Sequence, residues 1–401
     1  MYAAAVVAAA AAAAAAPPAI TYAGAWVRVP VTGPLCDVTR APFTAVGDGV
    51  ADDTAAIQHA LDVCAGAAGG TTLLPAGRVF LASALAARGA AGAALVVDGT
   101  LRFSNDTAAW PAGKPCLALS GRSMALVGGG VVDGQGAAWW PHRAAFRPGL
   151  VDVQGSSELL VANLTFIDSP NHSLELYAGN TEVVGVTIRA PPSTDPVAPS
   201  HNTDGIDVHG DFFYIHNTDI DTGDDNVAIH SSHVLIEDCR FGNGHGASIG
   251  SIGGATALEN ITVRGVTFDD TTAGVRIKID SKGTTGYIRD VTYANLTMRG
   301  VGETVTVCFF YDVDGACNWP GTADASATVS LQLQNVVIAD ITSANAATAG
   351  QLTCAPHARC SGVTLRDIVH TGTPPKVWSC ANAGAAVPAG SVPAPPAACT
   401  A

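Results

Sequence analysis

Short runs of alternating apolar and polar residues dominate the chain beyond about residue 90, and one octet recurs loosely among them. It appears as LLVANLTF (159–166), FYIHNTDI (213–220), VLIEDCRF (234–241), ITVRGVTF (261–268) and VTLRDIVH (363–370), with Asn, Asp or Gly near the middle. Period-2 alternation predicts half-buried strands. Copies often twenty-odd residues apart predict stacked coils, because one coil needs neighbours above and below to bury its apolar face. The expected fold is all-β, a single-stranded parallel β-helix. A β-sandwich also uses short strands but would not repeat one octet with Asn or Asp near its middle. One helix is expected after Asp52-Asp53-Thr54, which offers an N-cap, with apolar residues at Ile57, Leu61 and Cys64 and a stop at Gly69-Gly70. It would cap the open end of the solenoid, where an unpaired sheet edge invites aggregation.

The ends differ in texture. Residues 1–16 are nearly all alanine and end at Pro17-Pro18, which predicts a signal peptide within 1–20 and a mature start near 16–24. The stretch is too short for a comfortable membrane span, so no membrane association is expected after cleavage. The catalytic solenoid is placed at 25–375, and the Pro/Ala-rich residues 376–401 form a C-terminal cap or tail. Ten cysteines without a CxxC pair argue for disulfides rather than zinc. Cys380 with Cys399, Cys354 with Cys360 and Cys308 with Cys317 are the expected pairs; Cys36, Cys64, Cys116 and Cys239 are left unassigned. Sequons at Asn105, Asn163, Asn171, Asn260 and Asn295 add to the case for secretion and glycosylation.

Composition narrows the chemistry. Charged residues make up 13% of the 401 positions, glycine fills 44, and the net charge is −14. No basic run offers a phosphate-binding stripe, so nucleic acid is excluded as a partner. An anionic polymer would need a local basic patch, and Arg276-x-Lys278 supplies one from a single strand face.

Four polar clusters recur at about the coil interval between His201 and Lys278. They are Asn202-Thr203-Asp204-Gly205, Gly223-Asp224-Asp225, His245 within GNGHG, and Arg276-x-Lys278. One coil apart in sequence means stacked in space, so Asp204 should lie beside Asp224 and Asp225. Both adjacent aspartates reach one cleft only if the backbone bends, which Gly223 permits. Carboxylates held close raise the proton affinity of one, leaving an acid beside an ionised neighbour, as glycosidic cleavage requires. Two other functions use the same residues. A Ca²⁺-dependent polyuronate lyase could hold its metal at 219–225, although no EF-hand pattern is present; a non-catalytic carbohydrate-binding β-helix needs no carboxylate cluster.

NTDG, GDD, GHG and RIK, in this order and spacing, resemble the signatures of polygalacturonases, glycoside hydrolase family 28. AVGDGVADDTAAIQHALDVC, GGTTLLPAG and GGGVVDGQGAAWW extend the resemblance, which covers roughly residues 36–399. It implies a right-handed solenoid and hydrolysis of α-1,4-galacturonan with inversion, without cofactor or metal, in a secreted monomer acting on pectin. Asp224 would be the general acid, Asp204 and Asp225 would activate water, and His245 would tune Asp224. Asn202, Arg276 and Lys278 would bind substrate, with Tyr311 as the candidate tyrosine and Tyr287 and Tyr293 as its rivals. Two positions where the family commonly carries paired cysteines hold Asn226 and Phe241, and FTA replaces FGA near residue 44. Retention of the NTDG asparagine and the RIK pair favours galacturonate over rhamnogalacturonan. The segment GYIRDVTYANLTM resembles exo-acting relatives, giving a lean to exo attack, and 190–201 is a candidate cleft loop.

Overall fold

The computed structural model describes residues 20–66, 69–142, 145–281, 283–311, 317, 329–356, 360–373, 375–385 and 399. The expected signal peptide lies almost wholly outside these residues.

Each octet turns a corner at its fifth residue, and four of the five split there into two strands, while 363–370 stays within the strand Val363–Thr371. Asn163, Asn217, Asp238, Asn295, Asp340 and Asp367 occupy that corner with φ of 49–61°, and Gly265 does so at 65°. Left-handed backbone is costly for residues with a bulky Cβ, and Asn, Asp and Gly tolerate it best, which is why the middle of the octet is restricted to them. The corner separates two of the three parallel sheets that wrap the solenoid. One sheet includes Leu159–Ala162, Thr181–Val184, Phe213–His216, Val234–Glu237 and Ile261–Arg264. The next runs through Thr165–Ile167, Thr187–Arg189, Asp219–Asp221, Arg240–Gly242 and Thr267–Asp269. Register places Phe80, Leu101, Val132, Phe166, Ile188, Ile220, Phe241, Phe268 and Met298 in one internal column, each at most 1% exposed. The column ends in polar residues: Ser343 and His370 follow Met298 and both bond Thr304 Oγ1, at 2.9 and 3.0 Å.

The third sheet forms the floor of the cleft. Its strands pass through Val151, Leu174, Ile206, Val227, Ala247, Val275 and Val305, each aligned with the one before. Later coils are longer: Ala255–Arg264 and Thr285–Arg299 contribute an extra pairing of Ala255 with Thr285 through Glu259 with Arg289, away from the floor.

The helix Thr54–Cys64 buries Ile57, Ala60, Leu61 and Cys64 against the first coils. It stops at Ala65, ahead of the expected glycine pair. Asp53 is buried but makes no cap bond; its carboxylate instead accepts the Val46 and Gly47 N–H groups at 2.6 and 2.9 Å, while Asp52 receives Thr54 N at 2.9 Å. At the other end Gln351–Thr353 pairs with Ser379–Ala381, so the cleft sheet runs past the boundary expected at 375. The disulfides Cys308–Cys317, Cys354–Cys360 and Cys380–Cys399 form as expected, and Cys36 pairs with Cys64. Cys116 and Cys239 are buried free thiols.

An N-terminal hairpin gave no signal in the sequence. Ile20–Ala23 pairs antiparallel with Arg28–Val31, and Val27, Val29 and Val31 pack on Ala94, Ala125, Val127, Leu160 and Ala162. Glu182 pins its turn: the fully buried carboxylate accepts N–H groups from Ala25, Trp26 and Val27 at 2.6–2.7 Å and meets His216 Nε2 at 2.9 Å. Burial alone would raise its pKa, but the His216 contact and the three N–H donors outweigh it and hold it low. Glu182→Ala is therefore expected to cost about 3 kcal/mol, by leaving the buried Val27 N–H and His216 without their acceptor and releasing the turn held through Ala25 and Trp26. Because the folded pKa is depressed, this contribution is present above the unfolded carboxylate value and is lost as pH falls through the folded one. Melting temperatures of the two proteins against pH should converge in acid.

Candidate active site

Asp224 and Asp225 lie between the strands Asp219–Asp221 and Val227–Glu237, on the bend that turns the chain onto the cleft floor. Glycine is needed at 223 for space rather than for a positive φ. A Cβ there would sit 2.0 Å from the Ser200 carbonyl, at the end of the 190–201 loop. Gly223 N donates to Thr203 Oγ1 at 3.0 Å, and that hydroxyl donates to Ser200 O at 2.8 Å, so the NTDG and GDD segments brace one another.

The three aspartates converge on one cleft with His245, Lys278, Asn202 and Tyr311. Asp225 is saturated. Its Oδ1 accepts Ser248 Oγ at 2.6 Å and Arg276 Nη1 at 3.1 Å, and its Oδ2 meets Lys278 Nζ at 2.5 Å. Burial opposes ionisation, but Lys278 and then Arg276 overcome it and keep the Asp225 pKa low. Asp224 Oδ1 contacts His245 Nδ1 at 2.9 Å and accepts the Asp225 N–H at 2.9 Å, while Oδ2 accepts Asn202 N and Nδ2 at 3.3 and 3.5 Å. Here too burial is outweighed, chiefly by His245, with help from Lys278, so Asp224 stays ionised. Asp204 goes the other way: burial, then the charges of Asp224 and Asp207, push it well above the usual carboxylate range. Within the cluster, proton affinity is thus raised at Asp204 and lowered at Asp224 and Asp225.

Tyr311 sits under the basic pair, with Arg276 Cζ and Lys278 Nζ 5.4 and 5.3 Å from its ring centroid. Tyr293 is fully buried and donates to the Ala247 carbonyl at 3.2 Å, while the Tyr287 ring faces Arg289. Of the three tyrosines, the geometry brings Tyr311 to the site. Asn226 replaces a covalent link with hydrogen bonds: its Nδ2 donates to Ile220 O and Gly242 O, and its Oδ1 accepts Gly246 N, at 2.9–3.1 Å. Phe241 joins the internal column, edge-on to Phe268.

Several residues of the site escaped the sequence. His172 lies 3.7 Å from Asp204 and 3.8 Å from both Asp207 and Glu175. Asp207 Oδ2 and His172 Nδ1 are buried without a hydrogen-bond partner among the described residues. Buried Arg147 donates to Pro170 O, His201 O and Asn202 Oδ1, fixing the asparagine. Period 2 could have found Asp207, which follows Gly205 on an outward strand position; His172 and Arg147 arrive from other coils without local signal.

The raised Asp204 pKa has a consequence for stability. Its protonated form favours folding, so that contribution is complete below the unfolded carboxylate value and is lost as pH rises through the folded pKa. Asp204→Asn stays neutral throughout. Its melting temperature should exceed that of the parent by about 1–3 °C near neutral pH, with the gap closing near pH 4.

Comparison with known proteins agrees with this arrangement. The sequence profile of Glycosyl hydrolases family 28 matches residues 64–390. A probable polygalacturonase of Arabidopsis thaliana is 31% identical over 83% of this chain and 73% of its own length. A polygalacturonase of Cryptomeria japonica is 32% identical over 85% and 68%. The crystal structure of endo-xylogalacturonan hydrolase from Aspergillus tubingensis superposes with a TM-score of 0.75 at 25% identity, covering 89% of this chain and all of that one. An exopolygalacturonase from Thermotoga maritima shares the fold, with a TM-score of 0.77 at 18% identity over 90% and 93%. Parallel coils, a carboxylate cluster on the cleft floor and a family match across most of its length place the chain in glycosyl hydrolases family 28.

Proposed function

We propose that the protein hydrolyses α-1,4-galacturonosyl linkages of polygalacturonate with inversion, Asp224 acting as general acid and Asp204 with Asp225 serving the attacking water. The observation that carries this reading is the convergence of three carboxylates beside a basic pair on one cleft. Arg276 and Lys278 are the groups suited to a galacturonate carboxylate, with the Tyr311 ring beneath them and Asn202 alongside.

Before substrate binds, Asp204 has a higher proton affinity than Asp224. The proposed acid therefore gains its proton as the site is occupied. A substrate carboxylate against Lys278 weakens the pull of that ammonium on Asp224, and the coupled carboxylates redistribute their proton. Asp224 can then protonate the leaving oxygen while ionised Asp204 accepts the proton of water. Asp225, held by three donors, fixes the basic pair and orients the water rather than carrying a mobile proton.

The lyase alternative suits the donors poorly. A divalent cation at Asp224 and Asp225 would face the Lys278 ammonium, already 2.5 Å from Asp225. Secretion of the chain as a monomer fits its four disulfides, which form and persist in oxidising compartments. Among the described residues no helix is long and apolar enough to cross a membrane. The exo lean loses its footing: GYIRDVTYANLTM lies on the strand Thr285–Arg299, whose inner residues Ile288, Val291 and Tyr293 are scaffold core. Both exo- and endo-acting enzymes occur among the relatives.

On de-esterified polygalacturonate, reducing ends should rise without ultraviolet-absorbing unsaturated products and without response to chelator. Asp224→Asn should fold normally and lose about 10²–10⁴-fold in kcat. His245→Gln distinguishes the two candidate acids. It removes the main influence lowering Asp224, so the alkaline limb of kcat/KM should move to higher pH. A limb that stays put in His245→Gln and shifts in His172→Gln would assign the acid to Asp204.

A further inference from the structure

The cleft floor changes sign along its length. In register, Asp152 aligns with Glu175, Glu175 with Asp207, Asp207 with Ala228, Ala228 with Ser248, and Ser248 with Arg276. The valines and leucines flanking the three acids point inward, so the acids form one outward row on consecutive strands, about 4.8 Å apart. The strands Val151–Ala162, Leu174–Val184 and Ile206–His216 contain no lysine or arginine. Among the described residues, His172 is the one basic group in contact with Glu175 and Asp207.

A second row runs beside the first, through Gln154, Tyr177, His209 and His230. Tyr177 stacks on His209 at 4.3 Å and His209 on His230 at 4.6 Å, with ring planes within 10° of parallel. Burial, reinforced by neighbouring histidine, lowers His230 to about 4. This row therefore supplies aromatic faces and little positive charge near neutral pH. Burial and then the surrounding carboxylates raise Asp207 well above its ordinary range, so the repulsion is assigned to Asp152 and Glu175, further along the row.

De-esterified galacturonan carries one carboxylate per sugar. Over Arg276 and Lys278 that charge is compensated, but three to five coils towards the N-terminus it would meet the acidic row. A methyl ester removes the charge and adds an apolar group suited to the aromatic row. We propose that this half of the cleft binds methyl-esterified galacturonate residues, with Asp152 and Glu175 selecting partly esterified galacturonan over its free acid. The proposal rests on the galacturonan reading above.

The test compares kcat/KM on galacturonan oligomers of matched length, fully de-esterified or partly methyl-esterified, in EDTA at low salt. Like charges at this spacing, discounted for solvent and salt, predict about a tenfold preference for the ester. The preference should fall towards one in Asp152→Asn/Glu175→Gln, fall partway in Asp152→Asn alone, and return in Asp152→Asn/Glu175→Asp. Equal or faster turnover of the free acid, or a ratio unmoved in the double variant, overturns the proposal. So does Ca²⁺-stimulated use of the free acid that the double variant loses, since the row would then hold a bridging cation. Calorimetry of both oligomers with Asp224→Asn reads the same preference without turnover. Tighter binding of the ester with no hydrolysis by the parent protein would keep this inference and remove the hydrolase. Hydrolysis without any preference does the reverse, and binding of neither oligomer removes both.

Discussion

The ladder of backbone hydrogen bonds between successive coils fixes what every other part of this protein can do. Parallel strands lie about 4.8 Å apart and keep their side chains in line, so a residue on one coil is positioned by its register with the next. Ala228, Ser248 and Arg276 stand in one row for this reason, and Asp225 reaches Ser248, Arg276 and Lys278 although 23, 51 and 53 residues separate them in sequence. Register is in turn protected by the one-residue corners, which turn the chain from one sheet to the next without loose backbone. A bulky β-branched residue at such a corner would strain it.

Charge is then distributed over this rigid floor in three ways. Asp225 is neutralised by the basic pair, the pKa of Asp224 is held low mainly by His245, and those of Asp204 and Asp207 are pushed up by burial and by the carboxylates around them. Keeping unlike proton affinities within one cleft is a local sacrifice of stability, tolerated because the internal column of apolar side chains is continuous below it. Acid–base chemistry and charge selection along the cleft are two outcomes of the same repulsion.

Much of this was legible in the sequence, and the physical reasons are specific. The octet exposed the coils because its middle residue must accept a left-handed backbone, and two of the sequon asparagines, Asn163 and Asn295, occupy such corners at φ of 61° and 54°. The clusters at Asp204, Asp224, His245 and Arg276 were visible because each carries its glycine or its period-2 partner with it. Contacts between distant coils left no such trace. Glu182 gives no hint that it holds a hairpin more than 150 residues away, and His172 gives none that it faces three acids. The Cys36–Cys64 bond joins a strand to the end of a helix, a geometry that spacing alone does not select.

The extra pairing of Ala255–Glu259 with Thr285–Arg289 shows where this architecture absorbs change. Val227 to Ala247 and Val275 to Val305 are coils of different length, yet both return the chain to the same row. Length is added to the periphery while the floor keeps its spacing. A scaffold of this kind separates growth from chemistry: segments can be inserted or trimmed around the rim, remodelling what the cleft admits, without displacing a single reacting group. The aspartates behave as marks on a fixed ruler, and the loops as the parts of the molecule free to vary.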